Sequence, residues 1–256
     1  MNRINELFTR KTNSILSVYM TAGFPDLDDT TSIICALQKN GADMIEIGMP
    51  FSDPVADGPV IQNSSQKALK NGMSVNLLFE QLKTIRLKTT VPLLLMGYLN
   101  PVFHMGLENF LKRCSETGID GLIIPDLPME YYRDNYLGLF QKFNLANILL
   151  ITPQTPEQRM REIDELTNGF IYMVSSYSTT GARDSFSEQQ ETYFRRVDDL
   201  NLKSPRLIGF GVGNRKTFDT ACQYANGAIV GSAFINAVGQ PGSIEEKTAA
   251  FMRQWQ

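Results

Sequence analysis

Ile15-Leu16-Ser17-Val18-Tyr19-Met20-Thr21 is followed by an amphipathic stretch from Asp28 to Lys39, and then by Asp43-Met44-Ile45-Glu46-Ile47. The outer pieces are short, apolar and often β-branched, the pattern of buried strands. The middle piece sets Ile33, Ile34 and Leu37 on one helical face, and Asp26 or Asp28 is placed to cap its start. One strand, one helix and a second strand therefore occupy about the length of a βαβ unit.

Working outward, the unit recurs. Further strands are predicted near 92–96, 119–124, 147–152, 169–174, 206–210 and 226–230, each followed by a helical stretch. Glu157 to Leu166 carries Ile163 and Leu166 after a polar first turn, and Glu188 to Leu200 follows Ser187, a good N-cap. Eight strand–helix units in 256 residues predict an α/β fold, a (β/α)8 TIM barrel. Periodicity alone does not close a sheet, so a doubly wound open sheet stands as the alternative. Two parts exceed a minimal barrel. Residues 2–10 read as an extra N-terminal helix with Ile4, Leu7 and Phe8 on one face, placed to close the barrel floor. The stretch 61–88 after strand two is too long for one ordinary helix, and Asn71-Gly72 divides it, giving an additional helix there. No low-complexity segment or linker interrupts the chain, so residues 1–256 read as one domain.

Composition narrows the function classes. A net charge of -3 gives no electrostatic footprint for nucleic acid or an anionic membrane. Cys35, Cys114 and Cys222 are widely spaced and form no Cys-x-x-Cys pair, so neither a disulfide framework nor a zinc site is expected. Polar residues interrupt the N-terminus at once, and a reducing, cytoplasmic location is expected. His104 is the only histidine, and no cluster of ligands accompanies it, so no metal is expected. The Leu93–Met96 run reads as barrel core, and Trp255 as packing.

In this barrel class chemistry lies at the C-terminal ends of the strands. Glu46 alternates with Ile45 and Ile47 there. A carboxylate so placed is costly to ionise, and its raised pKa suits proton transfer near neutrality. A buried Glu paired with a Lys or Arg is the competing reading. Asp57 lies in the loop Phe51-Ser52-Asp53-Pro54-Val55-Ala56-Asp57-Gly58-Pro59, which can fold back over the strand end. Asp53-Pro54 and Asp57-Gly58 are also ordinary turn pairs. Anion-binding signals come late: Ser178-Thr179-Thr180-Gly181-Ala182-Arg183, Gly209-Phe210-Gly211-Val212-Gly213, and Gly231-Ser232-Ala233 opening a helix. Arg183 reads either as a phosphate partner or as a solvated loop residue. The glycine spacing at 209–213 lacks the dinucleotide fingerprint and its acidic partner.

The run Glu46-Ile47-Gly48-Met49-Pro50-Phe51-Ser52-Asp53-Pro54-Val55-Ala56-Asp57-Gly58-Pro59-Val60-Ile61-Gln62 closely resembles the signature of the tryptophan synthase alpha chain family. The resemblance continues through Leu95–Val102, Gly118–Pro128, Thr180-Gly181, Gly209–Val212 and Gly231–Ala233, and so spans essentially the whole chain. It implies a lyase that splits indole-3-glycerol phosphate into indole and glyceraldehyde 3-phosphate by a retro-aldol reaction. Glu46 and Asp57 match the catalytic carboxylates. Tyr19, Ile123, Tyr172 and Phe210 match positions lining the indole slot, with Tyr172 assisting Glu46. Gly181, Gly211, Gly231 and Ser232 match phosphate-binding positions, and Thr180 a mobile-loop position that meets the catalytic Asp on closure. Tyr19 stands where Phe is familiar, so its hydroxyl needs a partner; Ser178-Thr179 replaces a more Gly-rich loop start. The resemblance further implies an α2β2 complex with a beta chain, which would carry pyridoxal phosphate; no cofactor is expected in this chain. A barrel that only binds and activates its beta partner is the non-enzymatic alternative, and an indole-glycerol phosphate synthase or sugar-phosphate isomerase a second. The synthase is expected to use a strand-end Lys, and none stands at the matching position.

Overall fold

A computed structural model describes residues 2–54, 57–175 and 185–255. Nine strands form one all-parallel sheet: β1 Ile15–Thr21, β2 Met44–Gly48, β3 Leu93–Met96, β4 Gly121–Ile123, β5 Ala146–Asn147, β6 Leu149–Ile151, β7 Ile171–Val174, β8 Arg206–Gly209 and β9 Gly227–Val230. The order is β5-β4-β3-β2-β1-β9-β8-β7-β6. Its two ends, β5 and β6, are consecutive in the chain and separated only by Ile148. The segment predicted at 147–152 is therefore one barrel strand split in two. Its first half pairs with β4 and its second with β7, and that switch of partner closes the barrel. The open-sheet alternative falls on this closure.

Strand alternation divides the apolar residues into two cores. Outward side chains such as Val18, Ile45, Leu95 and Met173 pack beneath the helices. Inward ones, including Ile15, Met44, Leu94, Ile148, Leu207 and Ile229, fill the barrel. The Leu93–Met96 run accordingly splits between the two.

The N-terminal helix spans Arg3–Arg10, capped by the Asn2 side chain accepting from Ile4 N–H. Ile4, Leu7 and Phe8 join the barrel interior, and Phe8 meets Phe170 at 5.8 Å. Burying each such side chain contributes roughly 1.5–3 kcal/mol, so the helix stops the barrel floor. Asn2 also donates to Asp120 O at 2.7 Å, and Arg3 pairs with Asp120 at 2.9 Å. After β2, Pro59–Lys70 and Val75–Leu82 form separate helices broken at Asn71-Gly72, where Gly72 takes φ +97°. Two local expectations shift. The helix Thr30–Lys39 is preceded by Asp29, not Asp26 or Asp28, and Asp29 spends its carboxylate on Asp26 N–H. The helix after Ser187 ends at Asp199, and Ser187 and Gln190 form a reciprocal capping box.

Candidate active site

β2 brings Glu46 into the barrel level with Tyr19 of β1 and Leu94 of β3, two residues below Gly48 at the strand end. Its side chain is 0% exposed. Oε1 accepts a 2.9 Å hydrogen bond from the Ser17 hydroxyl, while Oε2 has no hydrogen-bond partner among the described residues. Burial raises the carboxyl to about 8, against a smaller opposing effect of the Ser17 bond. None of the ion pairs among the described residues involves Glu46, so the reading of a charge-paired structural Glu is not supported there.

Two phenols flank this carboxyl. Tyr19 is adjacent on β1, and the Thr21 side chain near its hydroxyl works to lower its pKa. Tyr172 reaches in from β7. Burial, and then the neighbouring acidic groups, push both phenols far above their usual range. Each ring lies over a strand-end glycine. A Cβ at Gly48 would overlap the Tyr19 hydroxyl, and one at Gly209 the Tyr172 hydroxyl. These glycines leave the space the rings occupy. Ile123 of β4 is fully buried in the same interior.

Asp57 approaches from the loop after β2. Its N–H donates to Pro54 O at 3.1 Å, so it is indeed a turn residue. Gln62 holds the turn by donating to the carbonyls of Asp57 and Pro54 at 2.9 and 3.4 Å. The Asp57 carboxylate nevertheless points inward and accepts from the Tyr98 hydroxyl at 3.1 Å. Burial raises it to about 6, with the Tyr98 bond opposing. Asp53, by contrast, is exposed and bonds its neighbour Ser52. Phe51 stacks on Tyr98 at 5.2 Å, and both line a cleft with Tyr19, Met49, Asp57 and Met96.

The glycine turns lie across the mouth. Phe210 and Gly211 take φ +65° and +76°, and the Phe210 ring meets Tyr172 edge-on at 6.3 Å. The Phe210 carbonyl accepts from Ser175 Oγ at 2.6 Å, which steadies the turn. Gly231 precedes the helix Ser232–Val238, and both it and Ser232 are partly exposed. Gly213 N–H is engaged by Thr217 Oγ1. Thr180, Gly181, Ser178, Thr179 and Arg183 lie outside the described residues. His104 is exposed, whereas Glu46 is fully buried.

Sequence reasoning named neither Ser17 nor Tyr98 as a site residue. Ser17 was detectable because it shares the inward face of β1 with Ile15 and Tyr19. Tyr98 stands just past the end of β3, where this fold collects chemistry.

A closed α/β barrel that buries a carboxyl on the inward face of a strand, with no cation partner among the described residues, has the architecture of a barrel enzyme. The comparisons narrow that class. The tryptophan synthase alpha chain family model matches residues 6–255, and the chain belongs to that family. It is 56% identical to the alpha chain of Christiangramia forsetii over 243 residues, covering 95% of this chain and 94% of that one. The Flavobacterium psychrophilum alpha chain is also 56% identical, over 242 residues, with 94% and 95% covered. Among solved structures, the alpha chain from Legionella pneumophila matches with a TM-score of 0.88 at 31% identity, covering 100% of this chain and 96% of that one. A Mycobacterium tuberculosis tryptophan synthase structure matches with a TM-score of 0.89 at 29% identity, with 99% and 96% covered. Membership places the chain in tryptophan biosynthesis, in a family with a lyase role. No helix among the described residues is long and apolar enough to cross a membrane.

Proposed function

We propose that this chain cleaves indole-3-glycerol phosphate to indole and glyceraldehyde 3-phosphate, the alpha reaction. The observation that carries this reading is the buried Glu46 carboxyl, raised to about 8, with one oxygen unpartnered among the described residues and Tyr19, which lines the cleft with Asp57, paired opposite it on the next strand. At neutral pH such a group carries a proton it can give away. Transfer to indole C3 makes the ring an indolenine cation and leaves Glu46 as carboxylate. That carboxylate then takes the proton of the glycerol hydroxyl as the aldehyde forms and the carbon–carbon bond breaks. The bond's electron pair returns to the ring, and Glu46 ends as it began, protonated. Asp57, ionised above about 6, accepts the indole N–H and stabilises the developing charge. Tyr19, Ile123, Tyr172 and Phe210 pack the ring. Backbone groups at Gly211, Gly231 and Ser232, with Gly181, hold the phosphate, and Thr180 meets Asp57 on loop closure.

A beta chain is the proposed partner, in an α2β2 assembly, with pyridoxal phosphate in that partner. Support comes from Phe103 and Tyr131, 47% and 45% exposed, which gather around Tyr136 beside Asn100-Pro101. Exposed aromatic clusters of this kind are enriched in interfaces.

The test is Glu46→Gln, assayed for indole release with and without beta chain. Loss of release with an unchanged circular dichroism spectrum is expected, and turnover like wild type's defeats the assignment. A wild-type chain inactive under both conditions points instead to a barrel that only activates its partner.

A further inference from the structure

Glu46 is the residue through which both proton transfers are proposed to run, yet a free carboxyl has two equivalent oxygens. Here they are made unequal. Ser17 lies on β1 two residues before Tyr19, on the same inward face, and is 0% exposed. It faces Met44 across β2 and Ile229 across β9, so its surroundings are otherwise apolar. Its hydroxyl donates to Glu46 Oε1 at 2.9 Å, from the floor side of the barrel. Oε2 is left without a hydrogen-bond partner among the described residues.

We infer that Ser17 is a positioning residue for Glu46: it holds Oε1 and leaves Oε2 as the single atom that exchanges protons with the substrate. This rests on the lyase reading above. The hydroxyl can donate to Oε1 whether Oε2 carries a proton or not, so the contact survives each transfer. It strengthens when Oε2 is deprotonated, because a hydrogen bond to an ionised acceptor is about twice as strong. Ser17 therefore favours the state left by the first transfer and keeps the carboxyl from rotating between transfers. The titratable groups facing Glu46 are Tyr19 on β1 and Tyr172 on β7, and Asp57 in the loop after β2 acts on both phenols. The inward residues Leu94 and Met96 of β3, Ile123 of β4, Leu207 of β8 and Ile229 of β9 carry no charge. Neither phenol is hydrogen-bonded to Glu46, so Ser17 holds the direct contact.

The experiment uses full-length wild type, Ser17→Ala and Ser17→Thr, with 13C-labelled glutamate and Glu46→Gln to assign the Glu46 signal. In Ser17→Ala, Glu46 should titrate at higher pH, and the alkaline limb of kcat should move up by about half a pH unit or more. Turnover should fall about tenfold, with KM changed less than about twofold, since Ser17 does not touch the substrate. Ser17→Thr, which keeps the hydroxyl, should restore both the titration and the limb. An unchanged Glu46 titration in Ser17→Ala overturns the inference, as does equal impairment by Ala and Thr, which would mark a packing role. If wild type releases no indole while the Glu46 signal still moves in Ser17→Ala, the lyase reading fails; the contact is then structural, and the positioning role falls with it.

Discussion

Replacing Glu46 by Gln should make the protein's stability less sensitive to alkali. The folded-state carboxyl is raised from its ordinary 4.5 to about 8, so folded chains keep a proton that unfolded chains release. A raised carboxyl contributes its stability in full below about pH 4.5 and loses it as pH climbs towards about 8. At about 1.4 kcal/mol per pH unit, the wild type forfeits about 4 kcal/mol between about pH 5 and about pH 8.5 through this group alone. Gln cannot ionise and escapes that loss. Its amide meets the partnerless position of Oε2, at a penalty of about 1–3 kcal/mol, but that penalty is the same at both pH values and cancels from the difference. The variant should therefore be no more stable than wild type at the acid end and clearly more stable at the alkaline end. Urea unfolding followed by circular dichroism at the two pH values measures the swing. Two stability–pH curves that stay parallel, within about 1 kcal/mol, would show that Glu46 ionises as freely in the barrel as in water, and the acid–base role would lose its basis.

The same two carboxyls shape the rate. Because Asp57 must be ionised and Glu46 protonated, kcat/KM for indole release should rise through about 6 and fall through about 8. Tyr98→Phe removes the donor that favours ionised Asp57, so the acid limb should shift upward while the alkaline limb stays; a shift of the alkaline limb would contradict the pairing. Gly48→Ala drives a methyl group into the Tyr19 hydroxyl and should destabilise by about 1–3 kcal/mol in urea unfolding. Adding Tyr19→Phe should recover part of that loss, and a strictly additive double variant would refute the contact.

The barrel was legible because its strands are buried on both faces and its helices on one, so the two periods alternate openly along the chain. The split at Ile148 was not, since sequence does not record which neighbour a residue bonds. The cap before Thr30 was ambiguous because Asp26, Asp28 and Asp29 send the same signal, and only backbone geometry chooses among them. Glu46 announced itself as a charge among isoleucines, yet whether a cation met it depended on strands far away in the chain. Asp57 reads as a turn residue and is one; its side chain acquires a second part only when Tyr98, forty-one residues on, reaches it. Ser17 was legible as an inward-facing hydroxyl on β1, but its partner was not, because the sequence does not say that Glu46 stands within reach.

The barrel treats its carboxylates differently at its two ends. At the floor, Asp43 pairs with Lys11 and accepts from Leu16 N–H, and Asp120 pairs with Arg3 and Arg86 and accepts from Leu93 N–H. Those contacts tie the N-terminal helix and the strand starts together. At the mouth, the partners of the Glu46 and Asp57 side chains among the described residues are hydroxyls, Ser17 and Tyr98. A guanidinium beside Glu46 would hold it ionised at neutral pH and leave no proton to give. A hydroxyl orients a carboxyl and moves its titration modestly while leaving the proton exchangeable. Cations at the floor and hydroxyls at the mouth are thus what a barrel needs if one set of acids is to hold the structure and the other is to move protons.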